Sequence, residues 1–384
     1  MICIQSTQPE WGFYGHRLIN RKAVFTLPQD ILPFYKYHIE FITEHAVDPD
    51  KRRYATKFEA VRHFIDIDHW EVAPFDTLPR QYAHAMLKYG ELRSINGIDT
   101  SILRLAQYDR PDFIKSFEAD SLRKKYYELI HLNRFDDEII LDCNDFDDFV
   151  QIPGDCQSLQ FVDKFSEYGI LPYFLPEYYQ RLVNAFKSKD VKRIIQYSSD
   201  LGHYIGDAHV PLHTTENYNG QLTDQVGIHA FWESRLPELF AADSYDFFVG
   251  KAEYIENISE YIWEVILDSH DLLDEVLEYE KELSLIYPSD QQFCFENRLE
   301  KTIRTQCEKY SKAYHISLDG MVETRMRDAI QSIGSVWLSA WIDAGQPDII
   351  KNLDIAWNKV DEKEKEELNN LFKAGQIKGR NHDN

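Results

Sequence analysis

The spacing of apolar residues constrains the fold of this chain more than any other feature. In residues 29–46, apolar side chains recur every three or four positions, which is the period of an amphipathic helix. Pro176 favours a helix start before residues 177–186, and residues 190–208 repeat the same period. Longer periodic segments follow at residues 250–279, 290–314 and 320–343. Valine and isoleucine rarely alternate with polar residues, so the sequence predicts an all-α, multi-helix fold without a major sheet.

Composition and charge limit the classes of function. Hydrophobic residues make up 43% of the 384 positions, which is enough for a large core and argues against general disorder. The formal net charge of −23 repels phosphate backbones at long range and argues against an extended electrostatic nucleic-acid surface. An enzyme that binds phosphate through metal ions is still compatible with this charge, because bound cations reverse the local field. No apolar run is long enough to predict an integral membrane segment.

The 5 cysteines include no CxxC pair, so the sequence predicts neither a disulfide framework nor a thiolate zinc site.

The chain is interpreted as one main domain with short flanking segments. Residues 1–10 are interpreted as a leader remnant or a disordered stretch, and residues 11–345 as a single helical domain. The acidic residues 134–157 are interpreted as a solvated surface insertion, and residues 346–384 as a charged C-terminal helix and tail.

The segment HYIGDAHVPLH at residues 203–213 carries the strongest functional signal. His203 and Asp207 are four residues apart, which places both side chains on one face of a helix. Pro211 ends that helix, so His213 can return over the same face. Imidazole and carboxylate groups in this arrangement are typical zinc ligands.

Other segments offer ligands of the same kind. A second pair with helical spacing, His229 and Glu233, lies in GIHAFWE at residues 227–233. The remaining candidates lie in WGFYGH (Trp11, His16), AVDPD (Asp48, Asp50) and RHFIDIDHW (His63, Asp66). Each pair taken alone is also compatible with a surface ion pair or a buried structural histidine, and the combination of segments favours a metal centre.

In their order along the chain, these motifs resemble the zinc-dependent phospholipase C and single-strand-specific nuclease superfamily. The resemblance covers about residues 11–238, and HYIGDAHVPLH is its most specific part. Members of that superfamily are mostly helical and bind three zinc ions. The resemblance therefore implies a phospholipase C/nuclease-type fold with a trinuclear zinc cleft.

The resemblance also implies a ligand set. One zinc ion would be held by Asp48, His63, His203 and Asp207, a second by Asp207, His16 and Trp11, and a third by His213, His229 and Glu233. Asp48 is preferred to Asp50 because its fifteen-residue spacing to His63 fits the family better, and Asp50 stays open. In the family the tryptophan is the first residue and binds metal through its free amine. Removal of the residues before Trp11 is therefore expected, which would make the protein periplasmic or secreted.

The implied chemistry is phosphodiester hydrolysis by metal-activated hydroxide. Asp207 would bridge two ions, and Asp66 would either orient or deprotonate the attacking water or hold a ligand in place. Arg52 is the preferred cation for stabilising charge on the phosphorane, with Lys51 and Arg53 as alternatives. A solvated basic turn is the other interpretation of these three residues.

Two substrate classes fit this scheme. The GIHxxxE sequence and the lack of a basic face favour a phospholipid or another small phosphodiester. The five-residue spacing from Trp11 to His16 resembles the nucleases more, so single-stranded nucleic acid is the alternative substrate. A noncatalytic helical metal-binding protein is the alternative from another class. The sequence predicts no protein partner.

Overall fold

A computed structural model describes residues 12–103, 124–134, 138–147, 152–298, 301–350, 359–375 and 377–378. It is 61% helical and 9% strand. The mainly helical class predicted from the sequence is confirmed, but two small sheets show that the fold is not purely α-helical.

The helices of the first half are mostly short. They are α1 (Gly12–Ala23), α2 (Leu32–Tyr37), α3 (Ile39–Glu44), α4 (Asp48–Arg52), α5 (Lys57–Ala60), α6 (Ile67–Trp70) and α7 (Tyr82–Tyr89). Short 3-10 turns cover Val24–Thr26, His45–Val47, His131–Asn133 and Ser166–Tyr168, and a π-helical turn covers Tyr126–Ile130. The periodic residues 29–46 thus form two helices, interrupted at His38, rather than one.

The longer helices lie in the second half. They are α8 (Leu171–Ser188), α9 (Val191–Ala208), α10 (Ile228–Ala230), α11 (Leu236–Ser244), α12 (Ile258–Asp271), α13 (Leu273–Ile286), α14 (Ser289–Gln292), α15 (Glu308–Ser317), α16 (Met321–Asp343) and α17 (Lys359–Ala374). A 3-10 turn covers Pro211–Thr214 and a π-helical turn covers Phe231–Arg235. Helix α8 begins before the expected start, with Pro172 in its first turn and Pro176 inside it.

The strands form two separate antiparallel sheets. Strands β1 (Glu91–Asn96), β2 (Asp99–Leu103), β3 (Ile139–Leu141) and β4 (Ser158–Val162) are ordered β2-β1-β4-β3. Strands β5 (Phe293–Arg298) and β6 (Lys301–Gln306) pair with each other. The β1–β2 connection has two residues and a φ of 60° at Gly97, a conformation that glycine adopts without strain.

The predicted helix over residues 290–314 is wrong in its first part. Strands β5 and β6 occupy residues 293–306, and α15 begins only at Glu308. The β-branched residues Thr302, Ile303 and Thr305 favour an extended backbone, and the partner strand pairs with them along the whole length of β6. The spacing of the apolar residues in this segment therefore did not distinguish a helix from a pair of strands.

Two disulfides correct the expectation that the cysteines form no disulfide framework. Cys143 pairs with Cys156, and Cys294 pairs with Cys307 across the β5–β6 hairpin. Each bond closes a sequence separation of 13 residues. Both cysteines of the first bond lie within the acidic segment 134–157, and the strand β3 of that segment pairs with β4 at the edge of the larger sheet. Part of the predicted surface insertion is therefore ordered structure, while Asp136, Asp137 and Asp148 lie outside the described residues.

Helices α1, α8, α9 and α16 form the centre of the molecule around Trp337. This side chain is fully buried on α16, stacks on Tyr35 of α2 with ring centroids 4.8 Å apart, and donates a hydrogen bond to the carbonyl of Ser198. Trp337 therefore links α16 to both α2 and α9. Among the described residues, no helix is long and apolar enough to cross a membrane.

The C-terminal helix α17 packs on the first half of the chain. Phe372 contacts Phe13 and Tyr54, with ring centroids 5.5 and 5.1 Å away. The backbone N–H of Lys378 donates to the carbonyl of Arg53. The C-terminal segment thus covers the region where α1 begins and α4 ends.

Candidate metal centre

Helix α9 supplies the central pair of the site. His203 and Asp207 are almost fully buried, and the Nε2 atom of His203 lies 3.3 Å from a carboxylate oxygen of Asp207. The same oxygen of Asp207 lies 2.9 Å from Nδ1 of His63, which belongs to the loop after α5. The predicted association of these three residues is present in the structure.

Close packing of α1 against α9 brings His16 to Asp207. The Nε2 atom of His16 lies 3.4 Å from the second carboxylate oxygen of Asp207. A Cβ atom at Gly206 would lie 2.7 Å from Ile19 and 3.1 Å from Nδ1 of His16, so only glycine leaves room for this approach. The glycine in HYIGDAH is therefore needed for the contact between the two helices.

A second group of ligands forms beside the first. His213 follows α9 on the 3-10 turn, and its Nε2 atom lies 3.2 Å from Nε2 of His229. The carboxylate of Glu233 lies 2.9 Å from Nε2 of His229 and 3.5 Å from Nε2 of His213. Glu233 lies in a π-helical turn rather than in the regular helix expected from the spacing. Its other oxygen is 3.4 Å from His16, which joins the two groups.

The structure places Asp50, and not the preferred Asp48, beside the histidines. Asp50 Oδ1 lies 3.7 Å from Nε2 of His203 and 3.9 Å from Nδ1 of His63. Asp48 instead contacts His45 at 2.5 Å and Lys51 at 3.1 Å. The preference for Asp48 is corrected because Asp48 and Asp50 lie two residues apart on the single turn of α4 and so project in different directions.

Backbone carbonyls orient three of the histidine rings. Nδ1 of His203 bonds to the carbonyl of Ala46, Nδ1 of His213 to that of His63, and Nδ1 of His229 to that of Tyr218. A carbonyl can only accept, so each Nδ1 carries a proton and each Nε2 faces the cluster. This is the arrangement by which proteins fix metal-binding imidazoles.

His63 has the opposite orientation. Its Nδ1 atom faces the cluster, and its Nε2 atom points to Glu59 at a distance of 4.0 Å. Glu59 is buried and is held by the guanidinium of Arg62 at 2.6 Å and by the hydroxyl of Tyr204. A carboxylate lies behind this histidine where the other three have a carbonyl.

The carboxylates of the cluster are held in their charged form. Burial would raise the pKa of Asp207, but His203 and His213 outweigh that effect and keep it well below its ordinary value. Burial would likewise raise the pKa of Glu233, and His16, His213 and His229 lower it well below the ordinary value. Burial would lower the pKa of His203, but Asp207 and Asp50 raise it to about 9.

Three groups of side chains are therefore close enough to hold a metal ion. They are His16, His203 and Asp207; Asp50, His63 and His203; and His213, His229 and Glu233, with the potential ligand atoms of each group within 4.8 Å of one another. The donor set fits a divalent cation, since two pairs of imidazole nitrogens lie 3.1 and 3.2 Å apart and each pair has a carboxylate beside it. Within the described residues, Nδ1 of His16 has no hydrogen-bond partner.

The other predicted site residues differ in their placement. Asp66 is buried at the start of α6, and its backbone N–H donates to the carbonyl of Tyr168. Its neighbour Ile65 donates to the carbonyl of His213, which places Asp66 beside the second group of ligands. Trp11 lies outside the described residues.

The structure places Arg52, the preferred phosphorane cation of the sequence analysis, among buried carboxylates. Its guanidinium lies 2.9 Å from Asp200 and 3.4 Å from Glu59, behind His63 rather than in an open cleft. Burial would lower the pKa of Arg52, but Asp200 and Glu59 raise it well above its ordinary value. Arg52 is thus the counter-ion of two buried carboxylates, whereas Lys51 pairs with Asp48 and Arg53 with Asp50.

Sequence analysis missed the residues that support the ligands. Glu59 lies four residues before His63, a spacing that could have indicated a contact. The carbonyls of Ala46, His63 and Tyr218 left no signal in the sequence, because any residue type supplies a carbonyl. Comparison of the chain with protein-family models and with curated proteins finds no match.

Proposed function

We propose that this protein is a zinc-dependent phosphodiester hydrolase of the phospholipase C type. The observation that carries the proposal is the convergence of five histidines and three carboxylates from five separate segments of the chain into one largely buried cluster. Buried charges at this density are costly unless cations compensate them.

In this proposal three zinc ions would be held by this chain: one by Asp50, His63 and His203, one by His16 with Asp207, and one by His213, His229 and Glu233. One oxygen of Asp207 lies 3.4 Å from His16 and the other 2.9 Å from His63, so this carboxylate would be shared between two of the ions. Asp50 takes the place that the sequence suggested for Asp48. Trp11 would complete the group of His16 if it became the first residue.

The residues of the chain have distinct tasks in the proposed reaction. Bound zinc lowers the pKa of water and neutralises phosphate charge. Asp207 and Glu233 stay ionised and would fix the positions of the ions, and the carbonyl bonds of His203, His213 and His229 turn each Nε2 toward the cluster. Asp66 would orient the attacking water or accept its proton, since it is a buried carboxylate next to the segment of His213.

A single-strand-specific nuclease is the second candidate. His69 and Tyr168 stack with ring centroids 3.5 Å apart beside Asp66, and both are partly exposed. Planar aromatic surfaces of this kind bind nucleobases. A periplasmic or secreted location is part of the proposal, and the two disulfides support it because such bonds persist in oxidising compartments.

The test uses zinc-loaded protein that begins at Trp11, with phosphatidylcholine and single-stranded RNA as parallel substrates. His203→Gln removes a central ligand, and His315→Gln is the matched control because His315 packs on Phe240 in α11, away from the cluster. Lipid cleavage that only His203→Gln abolishes supports the phospholipase, and RNA cleavage with that pattern supports the nuclease. If neither substrate is cleaved at full zinc occupancy, the noncatalytic metal-binding alternative is favoured.

A further inference from the structure

A cavity between α5 and α8 lies outside the metal cluster. Its volume is about 350 Å³, and none of the candidate metal ligands lines it. Pockets of this size and larger commonly bind small molecules when apolar walls surround a few well-placed polar groups. The cavity lies between α5, α8 and the loop before α8, where the N–H of Ile170 donates to the carbonyl of Val61.

One face of α8 sets the positions of three arginine side chains in this cavity. Phe174, Glu177 and Arg181 lie at successive turns of that face and all line the cavity. The guanidinium of Arg62 lies over the ring of Phe174 at 4.7 Å, and that of Arg134 lies 3.6 Å from Glu177. The guanidinium groups of Arg62, Arg134 and Arg181 therefore lie along a stretch of α8 that is roughly 10 Å long.

The walls between these cations are mostly apolar. Phe58, Val61, Ile170 and Phe174 line the cavity, together with Tyr82 and Tyr173. The hydroxyl of Tyr82 is bonded to Ser166 and that of Tyr173 to the carbonyl of Pro79, so both rings present their apolar parts.

The charges of the lining favour an anion. Lys57, Arg62, Arg134 and Arg181 face three carboxylates, Asp163, Glu167 and Glu177. Asp163 already accepts the backbone N–H groups of Phe165 and Ser166. The lining thus has a formal excess of one positive charge, in a chain whose net charge is −23. Planar guanidinium groups bind carboxylate and phosphate through paired hydrogen bonds.

We propose that this cavity is a binding site for a small amphipathic anion, a short alkyl chain that ends in a carboxylate or a phosphate. The chain lies against the ring of Phe174 and its apolar neighbours, and the head group binds at Arg134 and Arg181. Arg62 joins the cavity to the ligand cluster, because it also holds Glu59 behind His63. The proposal does not depend on the metal centre being catalytic.

Calorimetric titration of the full chain, in buffer without unbound metal, tests this site. The probes are decanoate, decyl phosphate and neutral decanol, each below the concentration at which it forms micelles. We expect one anion to bind per chain, with decanol at least tenfold weaker, and the tighter of the two anions identifies the head group. Equal binding of decanol and the anions, or no saturable binding of either anion, would overturn the proposal.

Arginine variants locate the binding. Arg181→Gln changes an exposed side chain, and combined with Arg134→Gln it should weaken anion binding about tenfold or more. Arg193→Gln is the matched control, since Arg193 is an exposed arginine of α9 that pairs with Asp190 outside the cavity. Unchanged affinity in Arg181→Gln and in the double variant would place the ligand elsewhere and contradict the proposal.

Discussion

Nδ1 of His63 lies 2.9 Å from a carboxylate oxygen of Asp207, although 144 residues separate them in the chain. The contact joins the loop after α5 to the last turn of α9, and His16 reaches the other oxygen of the same carboxylate from α1. Three distant segments therefore meet at one buried group. Since the unfolded chain cannot hold these ligands together, metal binding and folding should be coupled.

Asp50 and Asp48 should differ in their effect on metal content. Asp50→Asn removes the carboxylate beside His203 and His63, so we expect one zinc ion fewer per chain. Asp48→Asn breaks contacts with His45 and Lys51 only, and it should keep the full zinc content at a stability cost of about 1 kcal/mol. Elemental analysis after dialysis measures both. Loss of zinc in Asp48→Asn with full content in Asp50→Asn would reverse the assignment.

Gly206 should be needed for the position of His16. Gly206→Ala places a Cβ 3.1 Å from Nδ1 of His16, and the ring must move away from Asp207. We expect zinc affinity to fall about tenfold, the size of change seen when ligand orientation is disturbed. Competition with a chromophoric chelator measures the affinity. Gly250→Ala is the control, because its Cβ would meet nothing closer than Gln331 at 3.7 Å.

Arg52 should act on stability rather than on the reaction. Arg52→Gln leaves Asp200 and Glu59 buried without their common counter-ion, which should lower the free energy of unfolding by about 3–5 kcal/mol. Urea unfolding measures the change, with Arg193→Gln as the exposed control. A variant of normal stability whose hydrolysis rate falls steeply would instead favour the role first expected for Arg52.

His131 should contribute to the pH dependence of stability. Burial, followed by the charge of Arg134, lowers its pKa from 6.5 to about 4. Between these values the unfolded chain binds a proton that the folded protein does not bind, so stability is full above pH 6.5 and falls as the pH drops toward 4. Urea unfolding at pH 7 and pH 5 should show a smaller loss for His131→Gln than for the unchanged protein. Equal losses would contradict the pKa shift.

Local spacing predicted the parts of the fold and site that lie within single helices. The period of apolar residues predicted α9 and α16 closely, and the four-residue spacing placed His203 with Asp207 and His229 with Glu233. The resemblance added the order of the segments, and from it the association of His16 and His63 with Asp207. The motifs specify the residue types that make these contacts, so the contacts could be predicted from the sequence.

The remaining features depend on tertiary contacts. The choice between Asp48 and Asp50 depends on the direction of each side chain in a single helical turn, which sequence spacing does not specify. The role of Arg52 depends on Asp200, which is 148 residues away. The β5–β6 hairpin and its Cys294–Cys307 bond were not predicted, because the apolar residues of this segment have the spacing of a helix.

The metal dependence of phosphodiester hydrolysis tests the central claim most directly. The protein is stripped with a chelator, zinc is returned stepwise, and the hydrolysis of bis(p-nitrophenyl) phosphate is followed for the unchanged chain and for Asp207→Asn. We expect no activity without zinc, a rate that rises until three ions are bound per chain, and an inactive variant that binds fewer ions. Hydrolysis that survives chelation, or an Asp207→Asn variant with full activity and zinc content, would contradict the account.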